Sequence, residues 1–377
     1  MNDIYFRLIN NNALDALRKL PDNFVHCCVT SPPYWSFRDY GEVNQIGKEP
    51  TIKEYIISLL DVFCELKRVL RDDGTLWLNV GDGYCGAGHL DDGTDPNFPL
   101  GKNGQYFALN NKVEGYKNKD LLGIPWQLAQ ALQKPKIKCN CCGLSDYWEK
   151  WGHLVDGKIC PFCKKMVDYE ISEKGWYFRS DIVWHKPNSY PEKVKDRPVK
   201  SHEYIFLLSK KKTYYFDFYA IRQQVKEHLK NNSTRKFVKK NTVWESGIST
   251  FRGAHFATFP PKLVEPCILA STSAKGCCSS CGSPWKRIIE IKKVSFKNRS
   301  KKVTDYSSIG WEPTCICKNN EPVPSIVLDC FNGAASTGVA ALTNSRNYIG
   351  IEINSDYIDI SRNRLNEIDP LGIKDMS

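Results

Sequence analysis

The sequence VLDCFNGAASTG, residues 327–338, decides the fold class of this chain. It begins as a short apolar strand, continues as a turn of small residues around Gly333, and ends as the first turn of a helix. Small residues let the backbone approach a ligand closely, and the free N–H groups of a helix N-terminus attract polar ligand atoms. About 20 residues later Glu352 ends a second apolar strand, a spacing that suits a carboxylate accepting from the ribose of a nucleoside cofactor. The same pattern also occurs as a tight turn without a ligand, so both interpretations stay open.

Strands and helices alternate on both sides of this stretch. The pattern predicts strands at residues 24–30, 75–80, 176–184, 204–208, 325–329 and 348–353, and helices at residues 51–70, 120–132, 336–342 and 355–366. Such alternation predicts an α/β fold with a mostly parallel sheet, in which ligands bind beyond the carboxyl ends of the strands. Ser31 and Asp82 each follow a predicted strand, so we expect both at the ligand-binding edge.

The composition excludes a disordered chain, because 41% of the 377 residues are hydrophobic and 12% are aromatic. No stretch approaches the roughly 18 apolar residues of a membrane helix, and the N-terminus lacks a secretory pattern, so we expect a cytoplasmic protein. The net charge is +11, and residues 131–260 alone hold 25 basic and 13 acidic side chains. A middle third this basic predicts contact with a polyanion such as nucleic acid, with a solvated lysine-rich face as the alternative.

The sequence TSPPYW, residues 30–35, follows a predicted buried strand. Its two prolines fix the backbone and have no N–H, which leaves carbonyl groups as rigid acceptors beside the serine hydroxyl. The tyrosine adds a stacking surface, with Trp35 as a second aromatic. Together these groups are suited to a flat base that carries an exocyclic amino group. The candidate catalytic residues are Ser31, Pro32, Pro33 and Tyr34.

Sixteen cysteines in a chain without a secretory pattern indicate metal sites or buried thiols rather than disulfides. In each of two clusters a Cys-x2-Cys pair is followed by a second close pair, which matches a tetrahedral zinc site. The first set is Cys139, Cys142, Cys160 and Cys163, and the second is Cys278, Cys281, Cys315 and Cys317. Cys141 and Cys277 compete with their neighbours as ligands. All-thiolate sites leave no open position for water, so two structural zinc ions are predicted.

The order of the two motifs, TSPPYW before FNG, resembles the DNA amino-methyltransferases that modify cytosine N4 or adenine N6. It is most similar to the permuted subgroup, in which the catalytic motif precedes the cofactor motif, and to phage and restriction–modification members. The resemblance implies a Rossmann-like methyltransferase fold with a mostly parallel twisted sheet and inserted zinc-binding and DNA-recognition elements. It also implies S-adenosylmethionine as the cofactor and double-stranded DNA as the partner, with no membrane partner. A cognate restriction endonuclease and the oligomeric state are left open.

The resemblance assigns cofactor contacts to three segments of the chain. In the FNG turn and the strand after it, these residues are Asp329, Phe331, Gly333, Ala335 and Glu352. Ala335 stands where the family usually has Gly, and it is small enough to preserve binding. Thr258 and Pro260 lie in a segment similar to the family's additional cofactor motif. Asn12 stands in a region where the family often has Asp near the cofactor.

The resemblance further implies methyl transfer to a base flipped out of the duplex, with Ser31 and the proline carbonyls accepting both amino hydrogens. Serine before Pro-Pro-Tyr favours cytosine N4 in this family, and adenine N6 is the alternative. A zinc-stabilised nucleic-acid-binding module without catalysis is an alternative of a different class, and it predicts a damaged catalytic loop. Arg197 and Glu203 lie in segments that resemble a family motif near the flipped base, although a core Arg–Glu pair also explains them.

These assignments divide the chain into five segments. They are a catalytic half at residues 1–132, a zinc-binding insert at 133–170, the remainder of the catalytic half at 171–225, a basic target-recognition region with the second zinc cluster at 226–320, and a cofactor-binding half at 321–377. Loops are expected at 86–119 and at 226–240.

Overall fold

A computed structural model gives the fold over most of the chain. It describes residues 4–37, 40–86, 113–142, 145–147, 160, 163, 165, 169–189, 192, 194–224, 237–248, 259–294, 303–368 and 373–377. Thr258 and most of the expected loops at 86–119 and 226–240 lie outside the described residues. None of the helices in the described ranges is long and apolar enough to span a bilayer.

Eighteen strands occur in the described residues, several of them only two residues long. In chain order they are β1 Tyr5–Asn10, β2 Val25–Thr30, β3 Leu70–Val80, β4 Lys136–Cys139, β5 Ser145–Tyr147, β6 Tyr169–Glu173, β7 Tyr177–His185, β8 His202–Ser209, β9 Gln223–Gln224, β10 Phe237–Val238, β11 Val243–Glu245, β12 Cys277–Cys278, β13 Trp285–Val294, β14 Val303–Pro313, β15 Pro322–Val323, β16 Ile326–Asp329, β17 Asn347–Glu352 and β18 Lys374–Asp375.

The helices of the described residues accompany these strands. They are α1 Ala13–Arg18, α2 Ile52–Val69, α3 Ile124–Gln133, α4 Pro261–Ser271, α5 Ser336–Thr343 and α6 Ser355–Asn366. The longest, α2, begins with a capping box in which Thr51 and Glu54 each bond the other's backbone N–H. One face of α2 is apolar and packs into the core.

Nine strands form one large sheet with the order β11-β7-β8-β3-β2-β16-β17-β1-β18. Six of the eight neighbouring pairs are parallel, and only β8 runs antiparallel to its two neighbours. The prediction of an α/β fold with a mostly parallel sheet is therefore confirmed. The central strands β2 and β16 are buried along their whole lengths, as expected for parallel strands covered on both faces.

Helices cover both faces of the large sheet. The core on one face includes side chains of α1, α2 and α3. The core on the other face includes side chains of α4, α5 and α6. Four smaller sheets of the described residues stand apart from this one: a three-stranded sheet of β4, β5 and β6, and the two-stranded pairs β9–β10, β12–β15 and β13–β14. The parallel strands β1, β2, β3, β16 and β17 all end at the same edge, which is the edge that carries the motifs.

Candidate functional site

The two motifs meet at the carboxyl edge because β2 and β16 are parallel neighbours. Thr30, the last residue of β2, donates from its hydroxyl to Asp329 Oδ1 at 2.6 Å. Thr337 donates to the other carboxylate oxygen at 2.8 Å, and the backbone N–H of Phe331 donates at 3.0 Å. Asp329 is only 1% exposed, and burial raises the pKa of its carboxyl group to about 6. The buried carboxylate of Asp329 thus connects the end of β2, before the TSPPYW loop, to the turn after β16.

The turn after β16 leaves an open space next to Gly333. This residue has a φ of 50°, and a Cβ added to it would meet no atom within 4 Å. Its backbone N–H donates to Glu352 Oε2 at 2.8 Å, and the N–H of Asn354 donates to Oε1 at 3.0 Å. Burial also raises the pKa of Glu352. Each carboxylate oxygen has a further lone pair, so Glu352 can still accept from a ligand beside the turn.

The residues around Gly333 hold the turn in place. Asn332 is buried, donating to Ser361 Oγ at 2.7 Å and accepting from the Tyr348 hydroxyl at 2.6 Å. Phe331 is partly buried and packs against the core. Ala335 has a φ of 56° and immediately precedes α5. This left-handed conformation costs an L-residue about 1–2 kcal/mol more than glycine, which explains the glycine that the family prefers here.

Asn12 and Pro260 each begin a helix. The Asn12 side chain accepts from the Asp15 N–H at 2.9 Å and donates to the Asp15 carboxylate at 2.6 Å, so it caps α1. The neighbouring Asn11 N–H bonds the Glu352 carbonyl, which places this end of β1 at the same edge as the turn. Pro260 is buried before α4 and accepts from the Leu263 N–H at 2.9 Å. Capping of α1 accounts for Asn12, and Pro260 contributes a backbone carbonyl to the start of α4.

The residues that carry the acceptors in the loop after β2 are half-buried or buried, with Pro32 buried and Pro33 half-buried. The Pro33 carbonyl accepts from the buried Tyr55 hydroxyl at 2.8 Å, so one of its lone pairs faces the interior. Ser31 is half-buried at the strand end. Trp35 is only 7% exposed, packs in the core, and donates to the Glu49 carbonyl at 2.8 Å. The expectation that Trp35 offers a second stacking surface is therefore wrong, because its ring is part of the core.

Tyr34 is held at both its ring and its hydroxyl. A Cβ at Gly81 would lie 2.5 Å from the ring, so the ring rests directly against the end of β3. The hydroxyl donates to Glu203 Oε2 at 2.8 Å, and Asn79 Oδ1 lies 3.3 Å away. Burial, and next the charge of Glu203, raise the pKa of Tyr34 well above its usual value. The hydroxyl is therefore a neutral donor.

The core Arg–Glu pair considered for Arg197 and Glu203 does not form. Arg197 pairs with Glu192 at 2.7 Å and stacks on Tyr84, with the guanidinium 3.8 Å from the ring centroid. Glu203 instead joins Tyr34 and Asn79. Sequence reasoning missed Asn79, although an amide within the apolar run LWLNV of β3 is a recognisable signal of a buried polar contact.

Asp82, which was predicted at the ligand-binding edge, makes hydrogen bonds to nearby backbone groups and to Lys200. Its carboxylate accepts from the backbone N–H groups of Gly83, Gly123 and Ile124, and so fixes the start of α3. Its carbonyl accepts from Lys200 Nζ at 2.9 Å. Asp82 therefore lies at the predicted edge, where its hydrogen bonds stabilise the local backbone.

The first cysteine cluster brings Cys139, Cys142, Cys160 and Cys163 together, with all four Sγ atoms within 4.8 Å of one another. Two of the distances, Cys139 to Cys163 and Cys142 to Cys160, are 3.9 Å. A tetrahedral zinc with Zn–S bonds of about 2.3 Å separates its sulfurs by about 3.8 Å, so the set fits this ion. The cluster involves β4, which follows α3 at its end away from the motif edge.

The second cysteine cluster brings Cys278, Cys281, Cys315 and Cys317 within the same distance of one another. It is attached to the amino ends of β2 and β16. His26 bonds the Gly282 carbonyl at 2.9 Å through Nε2 and accepts from the Ile326 N–H through Nδ1. Arg71 donates to the Cys281 carbonyl at 2.7 Å. The second cluster therefore adjoins the sheet edge opposite the two motifs.

Comparison with known proteins agrees with this geometry. The sequence model of the N6/N4 family, described as DNA methylase, matches residues 25–278 and 314–363. The type II methyltransferase M.Cfr9I of Citrobacter freundii is 37% identical over 95% of this chain and 87% of its own length. The type II methyltransferase M.SmaI of Serratia marcescens is 33% identical over 95% of this chain and 90% of its own.

A similar solved structure is that of the PvuII DNA methyltransferase, which its description calls cytosine-N4-specific. The two folds superpose with a TM-score of 0.51 over 97% of this chain and 94% of that one. The sequence identity is 14%, so this likeness concerns the fold.

Proposed function

The chain belongs to the N6/N4 DNA methylase family, and we propose that it transfers the methyl group of S-adenosylmethionine to cytosine N4 of a base flipped out of DNA. The observation that carries this proposal is the contact between Thr30 and Asp329. It places the acceptor groups of the TSPPYW loop and the open turn at Gly333 on the same sheet edge. Two reactants held side by side in this way need no covalent intermediate on the protein.

The turn after β16 is suited to S-adenosylmethionine, which supplies an activated methyl group when bound. Gly333 leaves room for the ligand to lie close to the backbone. Glu352 keeps lone pairs that can accept hydrogen bonds from the ribose hydroxyls. Phe331 offers an apolar surface beside the turn. Asp329 acts through its bonds to Thr30 and Thr337, since its oxygens are buried away from any ligand. We assign Asn12 and Pro260 to shaping the edge.

The acceptor amine is activated by hydrogen bonding rather than by a general base. An exocyclic amine is conjugated with its ring and is a poor nucleophile. The Ser31 hydroxyl and the Pro32 carbonyl accept its two hydrogens, which moves the nitrogen towards sp3 geometry and frees its lone pair. The Pro33 carbonyl is left to the Tyr55 hydroxyl and keeps the loop rigid. The surplus proton leaves to water after transfer.

Tyr34 stacks on the flipped base, and the basic middle third of the chain contacts the DNA phosphates. Each cysteine set holds one structural zinc ion, since four thiolates satisfy the metal. Because the second cluster adjoins the amino ends of β2 and β16, we assign it to stabilising the fold there, and we assign the first, which includes Cys139 of β4, to stabilising the small sheet.

The identity of the product tests this function. The purified chain is incubated with unmethylated plasmid and S-adenosylmethionine carrying a deuterated methyl group, and the digested nucleosides are analysed by mass spectrometry. Labelled N4-methylcytosine is the expected product. Labelled N6-methyladenine would overturn the choice of base, and no labelled base would overturn the activity. Ser31→Ala is the matched control, because it removes one acceptor and keeps the loop.

A further inference from the structure

Glu203, in β8, lies where the catalytic loop meets the sheet. Its Oε2 accepts from the Tyr34 hydroxyl at 2.8 Å and from Asn79 Nδ2 at 3.1 Å. Its Oε1 pairs with Lys186, which follows β7. A single carboxylate therefore joins four parts of the chain that are distant in sequence.

The surroundings of Glu203 hold its carboxylate in one place. The Glu203 and Lys186 side chains are 16% and 15% exposed, so solvent screens their interaction little. Asn79 also donates to the Tyr204 carbonyl at 3.0 Å, which holds its amide in one orientation. Among the described residues, the groups that bond the Glu203 carboxylate, from Tyr34, Asn79 and Lys186, are all donors, and bonds to a charged acceptor are stronger than neutral ones.

The ring and backbone of Tyr34 cannot shift to compensate for a lost contact at its hydroxyl. Its ring lies against Gly81, where even a methyl group would come within 2.5 Å of it. The preceding residue is tied to Tyr55 through the Pro33 carbonyl. The hydroxyl contacts then set the ring's tilt within this slot, and the contact to Glu203 at 2.8 Å is shorter than that to Asn79 at 3.3 Å.

We propose that Glu203 is a positioning residue for methyl transfer, which fixes the Tyr34 ring as a preformed stacking surface before a base enters. This inference rests on the proposed function and deepens it. A ring that is already oriented needs no ordering when the base arrives, so the benefit falls on the transfer step rather than on duplex binding. Phosphate contacts dominate the affinity for duplex DNA, and Glu203 makes none.

Glu203→Gln tests the inference without changing the shape of the side chain. The amide oxygen turns towards the charged Lys186, and its NH2 group then faces the Tyr34 hydroxyl and Asn79. We expect single-turnover methylation to slow by about threefold to tenfold, which is the worth of one hydrogen bond, while the Kd for duplex DNA changes less than about twofold. A parental transfer rate in Glu203→Gln would overturn the inference.

A double-mutant cycle separates positioning from general damage. Tyr34→Phe keeps the ring and removes the hydroxyl, so Glu203→Gln should slow transfer little further in that background. Effects that multiply would overturn the inference. Glu192→Gln is the matched control, because it removes an ion pair of Arg197 in the same region but no bond to Tyr34, and we expect the parental rate.

A spectroscopic measurement tests the contact independently of activity. In protein labelled with 13C at the tyrosine ζ carbon, the signal missing from Tyr34→Phe identifies Tyr34. We expect this signal to shift in Glu203→Gln and to stay in place in Glu192→Gln. An unchanged Tyr34 signal in Glu203→Gln overturns the inference whether or not the chain is active. A parental chain that methylates no DNA contradicts the proposed function instead.

Discussion

The Thr30 hydroxyl donates to the Asp329 carboxylate across 299 residues of sequence, at 2.6 Å. Thr30 ends the strand that leads into the TSPPYW loop, and Asp329 ends the strand that leads into the glycine turn. Asp329 also binds Thr337 at the start of α5, so one buried carboxylate organises both loops. The donors that surround it are neutral, and no cation compensates its charge among the interactions of the described residues. Its ionised form is therefore costly to bury.

Asp329→Asn should stabilise the protein near neutral pH. The native pKa of about 6 lies above the ordinary value of 3.8, so between these values the native state binds more protons than the unfolded state. The contribution of Asp329 to the free energy of unfolding therefore falls as the pH rises through this window. An asparagine keeps one acceptor oxygen, and Thr337 can instead donate to the Val29 carbonyl, 3.1 Å away.

Urea denaturation at about pH 7 and about pH 5 checks this prediction. We expect Asp329→Asn to exceed the parent in free energy of unfolding at the higher pH, with the difference shrinking at the lower one. A variant that is less stable than the parent at about pH 7 would show that the carboxylate is compensated in the native state.

Gly333→Val should abolish binding of S-adenosylmethionine and leave the chain folded. The added side chain projects into the open space beside the turn, where a Cβ meets no protein atom. Gly115→Val is a matched control, because Gly115 also has a positive φ and open space around its Cβ, yet belongs to another loop. Both variants pay a similar backbone strain, so only the ligand affinity should separate them. Calorimetry with equal affinities for the two variants would contradict this placement of the cofactor.

Ala335→Gly should raise the free energy of unfolding by about 0.5–1 kcal/mol. Glycine relieves the left-handed strain at φ 56°, and the greater freedom of glycine in the unfolded chain offsets part of the gain. Ala334→Gly is the adjacent control: Ala334 is buried and its φ is not positive, so the same change should destabilise. Shifts of the same sign in the urea midpoints of the two variants would contradict the role of backbone strain.

Regular elements of the motif edge were predictable because apolar periodicity is local. The helix predicted at 51–70 is Ile52–Val69, and the strand predicted at 325–329 is Ile326–Asp329. The ribbon of β13 and β14 was not predicted, because charged and apolar residues do not alternate cleanly along either strand. Its pairing is tertiary information that periodicity does not contain.

Residue types at the site were predictable, and side-chain directions were not. Sequence spacing identified the TSPPYW loop, but only the fold shows that Trp35 turns into the core and that Tyr55 takes the Pro33 carbonyl. Both depend on α2 packing beneath the loop. The sequence singled out Glu203 and offered Arg197 as its partner, whereas the fold pairs it with Lys186 and Tyr34.

The sequence left open whether Cys141 or Cys142, and Cys277 or Cys278, bind metal, and substitution of each cysteine tests these alternatives. The structure groups Cys142 and Cys278 with the thiol sets and leaves out their neighbours Cys141 and Cys277. Cys277 instead faces the Val323 carbonyl at 3.4 Å. We expect Cys142→Ser and Cys278→Ser each to reduce the zinc content from two ions per chain to one. Cys141→Ser and Cys277→Ser should retain both ions in elemental analysis.

Loss of the second zinc should also lower the stability of the fold, because its loop is bonded to the strands that carry both motifs. The Gly282 carbonyl bonds His26 in β2, and His26 in turn accepts from the N–H of Ile326 in β16. Without the metal the loop loses its four thiolate bonds and keeps hydrogen bonds such as these and that of Arg71, so Cys278→Ser should lower the urea midpoint well below that of Cys277→Ser. S-adenosylmethionine affinity should fall less, since the turn at Gly333 lies at the opposite sheet edge. Equal midpoints, or two zinc ions retained in Cys278→Ser, would contradict this assignment.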